Sequence, residues 1–124
     1  MLDHLSPGTT NLERAAAFYD AVLAPLGVVR LWTWADGVGY GHPDDEDKLA
    51  IKLRQGAAVP GPGFHVALTA RTRLEVDGFF QAALAHGGTG DGDPGLHPHY
   101  GAGYYAAFVL GPDGHHIEAV CHEG

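Results

Sequence analysis

The sequence predicts an α+β fold built from one βαβββ module used twice in tandem. Three observations carry that expectation. Short segments alternate apolar and polar residues with period two, as half-buried strands do, and two stretches carry apolar residues at helical spacing. The second half of the chain then repeats the first. A shift of 61 residues lays His4 on His65, Phe18 on Phe79, Ala21 on Ala82, Leu23 on Leu84, Ala24 on Ala85 and Gly27 on Gly88, six identities in 24 ungapped positions. One module is expected over residues 1–56, a Pro/Gly-rich linker over 57–62 and a second module over 63–124, together forming a single domain.

Leu2 to Ser6 reads as the first strand. Asn11 is placed to cap a helix, with Glu13 suiting its positive end. Leu12, Ala15, Ala16, Tyr19, Val22, Leu23 and Leu26 form that helix's apolar stripe, which stops near Pro25 and Gly27. Strands follow at Val28 to Thr33, Gly37 to Gly41 and Lys48 to Arg54, with Asp36-Gly37 as a hairpin turn. The second round runs from a strand at Phe64 to Thr69, through a Thr72-capped helix over Leu74 to Ala85, to Gly87-Gly88. Its strands are expected at Thr89 to Gly92, Tyr104 to Leu110 and His115 to Cys121, with Pro112-Asp113-Gly114 as a turn. Gly95 to Gly103 reads as a long loop.

Composition narrows the function classes. Seven Lys and Arg against 15 Asp and Glu give a net charge of −8, the wrong sign for a nucleic-acid partner. No apolar run approaches the length of a membrane span, and no leader pattern follows Met1. The single cysteine, Cys121, cannot form an internal disulfide, and its alternation places it on the packed side of its strand. These features predict a soluble cytoplasmic protein with neither a nucleic-acid nor a membrane partner.

The chemistry-bearing residues fall on strands. Phe64, Val66 and Leu68 are expected to pack inward, leaving His65 opposite; Ile117, Ala119 and Cys121 pack inward, leaving His116, Glu118 and His122 opposite. Two neutral imidazoles and a carboxylate on one face can hold a divalent metal with positions open for substrate or oxygen. The repeat also matches the end of the fourth strand to the end of the eighth, which puts Lys52 opposite Glu118. A two-fold axis would then gather His4, His65, Lys52 and Glu118.

Asp3-His4, Asn11-Leu12-Glu13-Arg14 with Phe18-Tyr19, Gly63-Phe64-His65-Val66-Ala67-Leu68 and Pro112-Asp113-Gly114-His115-His116-Ile117-Glu118 span almost the whole chain. With these residues it resembles the glyoxalase, bleomycin-resistance and extradiol-dioxygenase superfamily, the vicinal-oxygen-chelate fold. The resemblance implies a curved, mostly antiparallel sheet cup with helices outside. It also implies metal ligands at His4, His65 and Glu118, the ion being Fe, Mn, Ni or Zn, and a homodimer. Lys52 stands where glyoxalases usually carry a fourth, glutamate ligand, and an ammonium cannot coordinate while protonated. The remaining set is similar to those of extradiol dioxygenases and metal-dependent thiol transferases.

Two functional readings follow. In the first, a metalloenzyme binds vicinal oxygens of a small substrate for lyase or isomerase chemistry, dioxygenation or thiol transfer. Glu118, Lys52, His99 and Tyr105 are its candidate catalytic groups, and Trp32, Trp34 and Tyr104 its candidate substrate wall. In the second, a metal-free protein sequesters a ligand as bleomycin-resistance proteins do, with Lys52 neutralising Glu118.

Overall fold

The computed structural model describes residues 1–122. Strands β1 (Gly8–Thr9), β2 (Val29–Trp34), β3 (Gly37–Gly41) and β4 (Leu49–Leu53) form one sheet in the order β1-β4-β3-β2. Strands β5 (Val66–Thr69), β6 (Thr89–Leu96), β7 (Tyr105–Leu110) and β8 (His116–Cys121) form the second, in the order β5-β8-β7-β6. In each sheet the first strand pairs parallel to the last and the other pairs are antiparallel. Helix α1 (Leu12–Leu23) packs on the first sheet and α2 (Arg73–Ala85) on the second, and the two helices pack on each other. The expected βαβββ repeat is therefore present in both order and pairing.

Local chemistry explains the boundaries. The Asn11 side chain accepts from the Arg14 N–H at 3.0 Å, and Thr72 accepts from the Glu75 N–H at 3.1 Å, so both helices start at hydroxyl or amide caps. After α1 a single 3₁₀ turn, Ala24–Leu26, ends at Gly27, whose φ of 77° is the left-handed conformation glycine adopts freely.

The first strand lies later than its alternation suggested. Its ladder with β4 runs in one register from Leu5, bridged to Leu49, to Thr9, paired with Leu53. Proline interrupts it, because Pro7 accepts from the Lys52 N–H at 3.0 Å but has no N–H to give back. Phe64 was expected inward but is 45% exposed, since β5 begins only at Val66. The second sheet departs most at β6, which continues to Leu96, paired with Tyr105, through residues expected to form a loop. Its register shifts twice on the way, which accommodates the Gly/Asp/Pro-rich sequence.

The ladders also correct the symmetry relation proposed for Lys52. Under the 61-residue shift Leu5 corresponds to Val66; Leu5 pairs with Leu49, and Val66 with Ile117. Between the last strands the shift is therefore 117 − 49 = 68, seven residues more than between the first strands. Ala50, not Lys52, occupies the position equivalent to Glu118.

One buried apolar cluster spans both halves, including Phe18, Tyr40 and Ile51 from the first and Phe79, Val109 and Ile117 from the second. Phe18 joins them. Its ring lies where a Cβ on Gly88 would meet it at 2.8 Å and one on Gly111 at 3.4 Å, so the second module leaves room for a first-module side chain. His115, nearly buried, adds a bond from Nε2 to the Gly8 carbonyl at 2.9 Å. Phe18→Ala is expected to cost about 3–5 kcal/mol, the usual cost of emptying a packed aromatic site. Because the core is shared, urea denaturation followed by fluorescence and by circular dichroism should show one coincident transition moved to lower urea. Two separated transitions would contradict a shared core.

Candidate functional site

Among the described residues Glu118 is the one buried carboxylate. Alternation in β8 points Ile117, Ala119 and Cys121 into the core and Glu118 to the opposite side, between Ala67 of β5 and Phe108 of β7. The residue is only 1% exposed. A carboxylate removed from water needs charged or hydrogen-bonding partners, and Glu118 has two. His65 Nε2 lies 3.0 Å from Oε1, and the Tyr104 hydroxyl donates to Oε2. The small Ala67 side chain leaves the imidazole free to reach across. The His65 side chain is 48% exposed, so the pair reaches from the buried carboxylate to the surface.

Tyr104 comes from the β6–β7 hairpin, whose pairing continues past the strands: His97 N–H donates to the Tyr104 carbonyl at 2.8 Å. Its ring packs against His122 and Tyr100, each at 5.2 Å between centroids. Desolvation, followed by the adjacent Glu118 carboxylate, pushes the Tyr104 phenol up to about 12. It therefore remains a hydrogen-bond donor through the neutral range. Beside this cluster a groove of about 290 Å³ is lined by Phe64, His65, Asp91, Tyr100, Phe108 and His116 among others. His116 Nδ1 pairs with Asp91 Oδ2 at 3.1 Å.

The other sequence candidates lie elsewhere. His4 is half-exposed and its Nδ1 bonds Asp3 Oδ1 at 2.6 Å, a bond that holds the Asp3 carboxyl below its ordinary range. Among the described residues no three His, Cys, Asp or Glu side chains are grouped closely enough to hold a metal ion, so His65 and Glu118 meet without His4. Lys52 does not pair with Glu118. Its ammonium lies 5.3 Å from the Trp32 ring and 5.5 Å from the Trp34 ring.

Tyr105 is also displaced from the site. Alternation with Ala107 and Val109 turns it to the helix side, where its hydroxyl donates to Asp77 Oδ1 at 2.6 Å. Tyr104, expected only as wall, is the tyrosine that meets Glu118. His99 sits at the hairpin tip with its ring 4.1 Å from Tyr100, and makes no hydrogen bond to Glu118. Trp32 and Trp34 share a face as expected, with ring centroids 4.5 Å apart. Cys121 is fully buried in the core. Asp91 fell inside the strand expected at Thr89 to Gly92, but its Gly/Asp-rich surroundings show no apolar alternation to fix the face it would take. Phe108 was legible, since it alternates with Ala107 and Val109.

A family model for the Glyoxalase/Bleomycin resistance protein/Dioxygenase superfamily matches residues 1–119. Among solved structures, a glyoxalase/bleomycin resistance protein from Albidiferax ferrireducens is 29% identical, with 95% of each chain covered and a TM-score of 0.83. A glyoxalase-related enzyme from Fulvimarina pelagi is 22% identical over 98% of this chain and 87% of that one, with a TM-score of 0.76. A glyoxalase/bleomycin resistance protein/dioxygenase family enzyme from Burkholderia phytofirmans is 19% identical over 98% of both, with a TM-score of 0.74. The last two likenesses establish fold alone. No curated protein matches the chain.

Tyr104→Phe should remove the donor to a buried carboxylate and cost roughly 1–3 kcal/mol at pH 8. The folded phenol titrates above the ordinary tyrosine value of about 10. Its stabilising contribution is therefore complete below about pH 10 and is lost as pH rises through about 12. Chemical denaturation at a series of pH values should show the wild-type advantage over Tyr104→Phe shrinking across that interval. A pH-independent difference would contradict the assignment.

Proposed function

Since the chain belongs to the Glyoxalase/Bleomycin resistance protein/Dioxygenase superfamily, we propose that it is a small metal-dependent enzyme acting on a substrate with vicinal oxygens. The observation that carries this reading is the His65–Glu118 pair. Nε2 and Oε1 stand 3.0 Å apart on one face, close to the separation of two neighbouring donors on one ion when each bond is about 2.1 Å. An imidazole nitrogen and a carboxylate oxygen are donors that iron, manganese, nickel and zinc all accept. His4 is the third ligand in this reading, turning from its exposed bond with Asp3.

A bound divalent ion would supply Lewis acidity toward substrate oxygens. The chain's own residues do the rest. Tyr104 holds Oε2 by hydrogen bonding, which keeps Oε1 directed toward His65. Phe64, Tyr100 and Phe108 give the adjoining groove apolar walls that exclude water from a bound substrate. Ala50, at the position equivalent to Glu118, provides no fourth donor. That asymmetry leaves coordination positions for the substrate and gives no preference among lyase or isomerase chemistry, extradiol-type dioxygenation and thiol transfer. Pairing into a homodimer, as the resemblance implies, belongs to the same proposal and is checked by light scattering.

A second reading, metal-free ligand sequestration, is favoured by one observation. Glu118 already has partners for both carboxylate oxygens, so it is satisfied without an ion. Elemental mass spectrometry of untagged protein separates the two. Near one iron, manganese, nickel or zinc per chain is expected, falling to background in His65→Ala and bound more weakly in His4→Ala. Protein that stays metal-free after incubation with each of these ions would overturn the enzyme reading in favour of sequestration.

A further inference from the structure

We propose that the first sheet carries its own binding site for a planar aromatic carboxylate, with Trp34 stacking on the ring and Lys52 pairing with the acid group. The proposal does not depend on metal binding at His65 and Glu118. The face concerned is the one turned away from α1, where Trp32, Trp34, Ala50 and Lys52 lie together by strand alternation and pairing.

The charge on this face is poised for an anion. The chain has 15 acidic residues against seven Lys and Arg, and its arginines are largely consumed by them. Arg14 pairs with Asp113 at 2.6 Å, Arg30 with Asp20 at 2.5 Å, Arg54 with Asp36 at 3.8 Å and Arg71 with Glu75 at 3.2 Å. Among the described residues no carboxylate lies within ion-pair distance of Lys52. Its ammonium lies beside the indole pair instead, 5.3 and 5.5 Å from the two ring centroids. Ring faces attract a cation but accept hydrogen bonds poorly, so its three N–H donors remain available to an incoming carboxylate.

The backbone makes space around that ammonium. Lys52 is flanked on both neighbouring strands by glycine, Gly8 on β1 and Gly37 on β3, so neither paired residue sets a side chain of its own beside the ammonium, and the Trp32 ring lies over Gly37. Trp32 is fixed by a third glycine: a Cβ on Gly39 would lie 2.2 Å from its ring, so the indole lies directly against the strand. Trp34, 4.5 Å from Trp32 and tilted by 32°, is 60% exposed. A flat ring placed on Trp34 covers that surface, and a carboxylate on its edge comes within reach of Nζ. A cationic ligand is excluded by the same ammonium, and a neutral ring would gain the stacking but not the ion pair.

The chain has two tryptophans, both at this site, so their indole N–H resonances report it directly. Naphthalene-2-carboxylate is the probe, titrated into chelator-treated, metal-free protein and followed by ¹H–¹⁵N correlation spectra. Saturable shifts of both indole signals are expected, with naphthalene-2-carboxamide and cyclohexanecarboxylate binding at least tenfold more weakly. Lys52→Met should weaken the carboxylate at least tenfold while leaving the carboxamide unchanged, and Trp34→Ala should weaken both. Equal affinity for acid and amide, or acid affinity surviving in Lys52→Met, would overturn the proposal. So would indole shifts that follow protein concentration without ligand, since a second copy of the chain would then occupy the face. Because the protein is metal-free throughout, failure here leaves the His65–Glu118 reading untouched.

Discussion

A buried carboxylate sets the arrangement of the second sheet. Glu118, at 1% exposure, has both carboxylate oxygens met by His65 and Tyr104, and each partner comes from a different strand connection. His65 must stand just ahead of β5, and Tyr104 just ahead of β7. The β6–β7 hairpin must therefore continue past its strands to His97 and Tyr104. The rings of His97, Tyr100 and His122 surrounding Tyr104 are the packing that this reach requires.

The first sheet carries the same topology with different chemistry. Where the second has Glu118, the first has Ala50; where the second gathers imidazoles and a phenol, the first gathers two indoles and an ammonium. The shared core constrains the helix-facing positions of both modules alike, while the opposite faces are free of that constraint. The scaffold repeats, and the side chains on the two opposite faces differ.

The sequence displayed the scaffold well because packing and capping leave local signatures. The repeat, the caps at Asn11 and Thr72 and the joint placement of His65 and Glu118 all follow from periodicity and capping. The hairpin expected at Asp36-Gly37 turns one residue earlier, at Ala35-Asp36, with Gly37 already paired to Trp34. The errors have equally local causes. Lys52 was matched to Glu118 because the last strands are offset by seven residues more than the first, a difference hidden in loops. Tyr105 was chosen over Tyr104 because two adjacent tyrosines fit either parity until the packing of Ala107 and Val109 fixes it. Proline hid the true extent of the first strand, and glycine-rich sequence hid the end of β6.

The outer edges of the two sheets differ in how they meet a foreign strand. Strand β6 carries Pro94, aspartates and two register shifts, features that spoil a template for further pairing. Strand β2, Val-Arg-Leu-Trp-Thr-Trp, has high β-propensity and a single shift. A partly opened molecule therefore recruits extended chains by one flank, and its susceptibility to aggregation has a direction: growth begins beside Val29 to Trp34, while the opposite flank is protected by its own irregularity.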